Sequence, residues 1–372
     1  MGIVKEGFMK LIKEGDVSVV MSNFGSKHSY FGWPSVARLQ NGKIAVVASG
    51  FRVQHVCPFG KTVIAFSEDE GNTYTLPMPV VDTVMDDRDG GITPFGESGV
   101  VVTSFNNELD LYRGRPDSTP YMKAYLDLLT EEDEAREYGS TFRISRDCCV
   151  TFGPVQKSPV TSPHGLLALP EGGFLWVGRA MKPLKPDPAY RDFIQAWHMD
   201  EDGAFTFVGE IEQIFDEDGE LLTSCEPHTI LLEDGTLLTH IRVQRKGKDP
   251  SQKVFTIYQS TSQDGGKTWT RPERILGQTG GAPSHLFRHS SGVLLATYGY
   301  REAPYGVKVM FSTDHGKTWD VDHDLYVNGV NWDLGYPATV ELKDGSLLTV
   351  FYAHRTAEEP ALILQQKWRF EK

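Results

Sequence analysis

An eight-residue pattern, Ser-x-Asp-x-Gly-x-Thr-aromatic, recurs along this chain and limits its possible folds more than any other feature. Ser67 to Tyr74, Ser262 to Trp269 and Ser312 to Trp319 match it in full. Ser145 to Phe152 is a decayed copy with Cys149 in place of the glycine, and His198 to Phe205 keeps only a trace. The residue types specify a tight turn. Asp folds its carboxylate onto backbone N–H groups, Gly takes a positive φ, and the aromatic ring packs back under the hairpin. The octets therefore read as devices of the fold and not as reacting groups.

A second repeat is interleaved with the first. It runs proline, apolar strand, a turn ending in Gly, apolar strand. Pro34 leads to Asn41-Gly42, Pro163 to Gly172-Gly173, Pro227 to Asp234-Gly235, Pro283 to Ser291-Gly292 and Pro337 to Asp344-Gly345. A weaker copy runs from Gly91 through Ser98-Gly99 to Thr103. Such turns between apolar runs signal hairpins. The result is six units of roughly 50 residues, each about four strands, a period that belongs to stacked or radial architectures. The expected fold is all-β, a six-bladed β-propeller formed by residues 1–372 as a single domain. Val17–Met21 is expected to close the ring beside Ala361–Trp368. One stretch breaks the period. Residues 106–140 lack strand alternation, and Pro120–Leu129 and Thr130–Tyr138 read as helices, with Thr130 and Asp133 spaced like a capping box. This predicts a helical insertion in the second blade, serving as surface decoration, oligomer contact or lid.

Charge and composition then exclude several functions. Fifty acidic residues against 37 basic ones give a net charge of −13, which argues against a nucleic-acid groove. No run approaches the ~18 apolar residues of a membrane span, and Met1 to Asp16 has no apolar core of a secretory signal. Cys57, Cys148, Cys149 and Cys225 have no CxxC spacing and read as free thiols, so a cytoplasmic location is expected. No phosphate loop, nucleophile elbow or EF-hand is present, so no cofactor or metal is expected.

In a propeller the innermost strands converge on an axial mouth. Arg52, Arg179, Arg242 and Arg301 stand at second-strand ends of different blades, and Glu226, His164, His228, His285 and Tyr336 near first-strand starts. Convergent guanidinium groups trap a carboxylate; the alternative is that each pairs with an acidic neighbour. The histidines are structural, or substrate-binding, or could serve as a base. Three neutral imidazoles could also hold a metal, but their spacing follows the repeat and is not a metal motif.

The octets in register with six strand pairs resemble the sialidase superfamily of six-bladed propellers, from about Tyr30 to Tyr352. Glu226-Pro227-His228 with Arg242 resembles the segment bearing that family's catalytic Glu and second carboxylate-binding arginine. Arg301 resembles the third arginine, and Asp333 to Pro337 the segment presenting the tyrosine nucleophile, here Tyr336. The resemblance implies an exo-glycosidase that removes a terminal acidic sugar, sialic acid or a related ulosonic or uronic acid, from an acidic oligosaccharide or glycan. The chain departs from the family twice. Phe31-Gly32-Trp33-Pro34 lacks the first arginine, unless Arg52 substitutes, and no Asp stands where the acid/base residue belongs, which leaves His55 or Asp89 for that role. Two other functions remain open. One is a uronate lyase using His164 or His228 with Tyr336; the other is a non-catalytic glycan-binding propeller.

Overall fold

The computed structural model describes residues 9–245, 253–280 and 283–372. Six antiparallel sheets follow one another around an axis. The first blade comprises Tyr30–Arg38, Ile44–Arg52, Lys61–Ser67 and Met78–Val81. The innermost strands of the next five blades begin at Arg88, Val160, Thr223, Ser284 and Gly335. The innermost strand of the third blade is interrupted, with Val160–Thr161 and Leu167–Ala168 both paired to Phe174–Ala180. The ring closes in the sixth blade. Lys10–Met21 pairs with Leu362–Glu371, with Val19 opposite Leu364, so one sheet holds both ends of the described chain. This extends the predicted closing strand toward the N-terminus.

Blades hold together through apolar faces that a lone four-stranded sheet would leave wet. Val46, Val63 and Ala65 of the first blade pack with Leu348, Val350 and Ile363 of the sixth. The octets add polar stitches to this packing. In the three full copies and the decayed one the serine Oγ accepts the backbone N–H four residues on, at Gly71, Gly266, Gly316 and Cys149. The threonine hydroxyl donates to the octet carboxylate at Asp69, Asp147, Asp264 and Asp314. The copy without glycine keeps the backbone, because Cys149 itself adopts φ 67°. Gly71 is constrained twice: its φ is +79°, and a Cβ there would lie 2.3 Å from Leu348 Cδ1 of the sixth blade. Tyr74 of the same octet donates its hydroxyl to Gln365 Oε1 at 2.5 Å, again across the blade boundary. The trace copy retains only the aspartate, whose Asp200 Oδ1 accepts the N–H of Asp202 and Ala204.

The insertion forms three short helices, Asp110–Arg113, Pro120–Leu126 and Glu131–Glu137, between Gly99–Asn106 and Gly139–Ser145 of the second blade. The capping box at Thr130 and Asp133 is present. Leu109, Tyr112, Leu126 and Leu129 bury against Met85, so the insertion docks on the segment that joins the first and second blades. Among the described residues no helix is long and apolar enough to cross a membrane.

The octets make a stability prediction. Ser312 is buried and bonds both Asp314 and the Gly316 N–H. Ser312→Ala should lower stability by about 1–3 kcal/mol, measured by denaturant melts, while turnover per folded molecule is retained. Asp69, Asp147 and Asp264 are held down at about 2, chiefly by the octet threonine hydroxyls. A depressed carboxylate stabilises fully above its unfolded value near 4 and loses that contribution as pH falls toward 2. Acid melts should therefore steepen in that window, and less so in Asp264→Asn.

Candidate active site

One backbone device builds the axial mouth. Four innermost strands carry an extra residue at the same register. Gly32 and Ser35 face Ser49 and Val47, Arg88 and Gly91 face Phe105 and Thr103, Cys225 and His228 face Arg242 and His240, and Gly335 and Ala338 face Tyr352 and Val350. At each bulge one non-glycine residue takes a positive φ: Trp33 at 54°, Asp89 at 46°, Glu226 at 51° and Tyr336 at 49°. Left-handed backbone costs a side chain about 1–2 kcal/mol, so four such residues at equivalent sites mark a place where side-chain direction outweighs local stability. Three of the four precede proline.

Tyr336 and Glu226 meet there. The Tyr336 hydroxyl donates to Glu226 Oε1 at 2.7 Å, and Arg242 Nη1 donates to Glu226 Oε2 at 2.7 Å and to the Tyr336 oxygen at 3.1 Å. Burial, then the Glu226 charge, push the Tyr336 phenol well above its ordinary range against the opposing pull of Arg242. The resting group is thus a phenol with its proton already aimed at a carboxylate. Arg301 lies over the Tyr336 ring at 5.5 Å, anchored by Nε to the Leu334 carbonyl at 2.7 Å and by Nη2 to the Tyr352 hydroxyl at 2.6 Å. Asp89 is buried, and its Oδ1 has no partner. Burial pushes its carboxyl up to about 7, with Arg88 opposing and Glu226 adding to the rise. Asp89 and Glu226 border a cavity of about 340 Å³ walled by Tyr138, Arg179 and Tyr190. A larger cavity of about 490 Å³ lies beside the octets of the fourth and fifth blades and contains none of these residues.

The arginines expected to converge divide into two groups. Arg242 and Arg301 reach Tyr336. Arg52 does not. It is fully buried and bonds both oxygens of Asp86, so it offers no face to a ligand. Its position is set by Trp33, whose ring carries Arg52 at 4.8 Å and Arg88 at 4.1 Å. Asp86 is the hub of that cluster, taking Arg52, Arg88 at 3.1 Å and the Tyr112 hydroxyl of the insertion at 2.8 Å. Arg179 forms a bidentate pair with Asp192, each bond 2.8 Å, on the cavity wall.

His164, His228 and His285 gather in the interior of the ring with ring centroids 4.4–5.5 Å apart. Burial holds all three below the usual imidazole range. His228 Nδ1 accepts the Leu286 N–H at 2.9 Å, which puts its proton on Nε2 and removes the lone pair a metal there would need. Among the described residues no group of His, Cys, Asp or Glu is arranged to hold a metal. The Tyr336 hydroxyl bonds Glu226 and Arg242, and none of its hydrogen bonds goes to these histidines. His55 is half-buried and bonds Asp333 Oδ1 at 2.7 Å. Burial lowers its pKa, against the pull of Asp333. Sequence reasoning did not single out Trp33, Asp86, Arg88, Asp333 or Trp332 as working parts. The residue-before-proline pattern of Trp33, Glu226 and Tyr336 was the available signal for the first.

The architecture and this axial Tyr–Glu–Arg constellation define a six-bladed propeller of the sialidase superfamily's type. The chain belongs to the BNR repeat-like domain family, whose match spans residues 118–349. No curated protein sequence matches it significantly. A Dyadobacter fermentans protein of unknown function has a similar structure, with TM-score 0.73, 18% identity, and 98% of this chain and 99% of that chain covered. The NanB sialidase of Streptococcus pneumoniae gives TM-score 0.66 and 12% identity over 95% of this chain and 70% of that one. An α-L-arabinanase of Penicillium chrysogenum gives 0.60 and 11% over 97% and 98%. At these identities the likeness is one of fold.

Removing the hub should be costly. Asp86→Ala leaves Arg52 and Arg88 buried without their carboxylate, and breaking such a cluster typically costs about 3–5 kcal/mol. Calorimetry should show a large drop in melting temperature.

Proposed function

We propose that the protein is a retaining exo-glycosidase that removes a terminal sugar bearing a carboxylate, a sialic acid or a related ulosonic or uronic acid. The observation that carries this reading is the Tyr336 hydroxyl donating to Glu226 with Arg242 bonded to both. A carboxylate nucleophile would be repelled by a substrate carboxylate beside the reacting carbon, whereas a neutral phenol is not. Glycosidases of acidic sugars with a tyrosine nucleophile are a recognised exception to the two-carboxylate arrangement.

The steps follow from the proton positions. Arg242 and Arg301 hold the substrate carboxylate. Tyr336 Oη attacks the anomeric carbon while Glu226 takes the phenolic proton. Asp89, protonated up to about pH 7, gives its proton to the departing oxygen. Water then attacks the anomeric carbon, Asp89 takes a proton from it, the bond from that carbon to Tyr336 Oη breaks, and Tyr336 regains its proton from Glu226. Asp89 suits the acid role better than His55, because burial keeps Asp89 protonated and His55 neutral. The lyase alternative has less support, since Tyr336 is engaged with Glu226 and Arg242 and not with His164 or His228.

Intact-mass measurement after treatment with a fluorinated mechanism-based sialic acid tests the nucleophile. One glycosyl adduct should map to Tyr336 and be absent in Tyr336→Phe, whose turnover should collapse. Robust hydrolysis with no adduct would sink this assignment, and a product absorbing near 235 nm would indicate elimination instead. Arg242→Ala should lower kcat/KM by about 10- to 150-fold, the worth of one charge-assisted hydrogen-bond pair.

The proton donor has its own signature. Activity should fall as pH rises through about 7, where Asp89 ionises. Asp89→Asn should abolish that limb and cost about 10²- to 10⁴-fold on a natural glycoside. In kcat/KM, which reports glycosyl transfer to Tyr336 and not the later step in which Asp89 acts as base, the loss should be much smaller on a glycosyl fluoride, whose leaving group needs no proton. Equal losses on both would remove Asp89 from the acid role.

A further inference from the structure

Trp332 is 53% exposed, unusual for a residue of its size. It stands four residues before Tyr336, at the approach to the innermost strand of the sixth blade. Its surroundings tie it to the reacting group. Arg301 lies 6.0 Å from the Trp332 ring and 5.5 Å from the Tyr336 ring, so one guanidinium neighbours both. On the other side His55 packs on Trp332 at 5.5 Å and on Trp33 at 5.0 Å, and Trp33 reaches Tyr336 at 6.4 Å. A continuous aromatic wall thus runs from the nucleophile to solvent. Neither Trp332 nor His55 borders the cavity beside Asp89 and Glu226.

The polar edge of that wall is held in one protonation state. Asp333 accepts from Tyr30 at 3.0 Å, from His55 Nδ1 at 2.7 Å and from His354 Nε2 at 3.2 Å. His354 Nδ1 faces the Glu359 carbonyl at 2.7 Å. Both nitrogens of His354 therefore meet acceptors, a pattern that only the doubly protonated ring satisfies. His354 supplies the positive charge that offsets Asp333, and His55 remains neutral. With its proton on Nδ1 and directed to Asp333, His55 presents the Nε2 lone pair as an acceptor.

We infer that Trp332 and His55 form a subsite for the second sugar ring of the substrate, Trp332 stacking on its C–H face and His55 Nε2 accepting from one of its hydroxyls. This rests on the proposed glycosidase reading, in which the terminal ring sits over Tyr336. It deepens that reading by specifying an oligosaccharide with a hydroxyl-bearing ring next to the acidic one. Asp333 is a positioning residue, fixing the His55 tautomer. The aromatic face supplies apolar contact at little conformational cost, and the imidazole supplies direction.

The experiment compares two substrates that share the acidic ring and differ in what leaves: sialyl-lactose, which presents a second ring, and α-sialosyl fluoride, which presents none. Trp332→Ala should lose at least tenfold more kcat/KM on sialyl-lactose than on the fluoride, with most of the difference in KM. Asp333→Asn should show the same sign of split, because its His55 no longer has a fixed tautomer. Equal losses on the two substrates would overturn the subsite while leaving the glycosidase reading intact. A second readout does not depend on turnover. The Trp332 indole N–H resonance, assigned by its absence in Trp332→Phe, should shift when sialyl-lactose is added to Tyr336→Phe protein. An indole that stays put while other axial resonances move would overturn the inference. If wild type turns over neither substrate, the glycosidase reading fails on these sugars. Lactose is then added to the wild-type protein, and an unmoved Trp332 resonance would overturn the subsite as well.

Discussion

The bulge shared by four innermost strands is the constraint on which the rest of the mouth depends. An ordinary strand alternates its side chains between two faces, and in a propeller blade both faces are taken up by neighbouring blades. One extra residue at Trp33, Asp89, Glu226 and Tyr336 breaks that alternation, with those four residues held at positive φ. Because the bulge falls at the same register in each blade, rotation about the axis brings the four side chains into one place. The left-handed backbone is tolerated because the flanking ladder pairs, such as Cys225 opposite Arg242 and His228 opposite His240, resume on both sides.

Charge in this region is organised in tiers. Nearest the cavity, Glu226 and Arg242 compensate each other around the Tyr336 hydroxyl. Behind Trp33, Asp86 pairs with both Arg52 and Arg88, and Tyr112 ties the helical insertion to the same carboxylate. At the exposed edge, Asp333 balances His354. Asp89 stands outside these pairings, with one oxygen unpartnered, and burial lifts its carboxyl to about 7 against the opposing pull of Arg88. A group kept protonated by burial is suited to give up a proton when charge develops beside it.

The octets and the axial groups occupy opposite roles in one repeat. Each octet satisfies its own polar groups within eight residues and bridges to the preceding blade, as Tyr74 does to Gln365. It stabilises the ring wherever it occurs and can decay, as Cys149 illustrates, without loss of the turn. The axial residues differ from blade to blade at one structural position, so the same scaffold presents an indole, two carboxyls and a phenol.

What the sequence determined by itself was whatever is encoded locally or by repetition. The turn octets, the Gly-ended hairpins, the capping box at Thr130 and the closing strand near Val19 were all legible, because each is satisfied within a few residues or repeats with the blade period. Resemblance of local motifs also picked out Tyr336, Glu226, Arg242 and Arg301, and those four do meet. The tertiary structure alone decided which equivalent-looking residues share a site. Arg52 and Arg301 both end second strands, yet Asp86 lies 34 residues from Arg52 in sequence and captures it completely, while Leu334 and Tyr352 hold Arg301 over Tyr336. The Trp332–His55–Asp333 group was equally hidden, because His55 and Asp333 are 278 residues apart and meet only where the first and sixth blades close the ring. Ion pairing and aromatic contact act over a few ångströms of space whatever the distance along the chain, and the closure of the ring is what sets those distances.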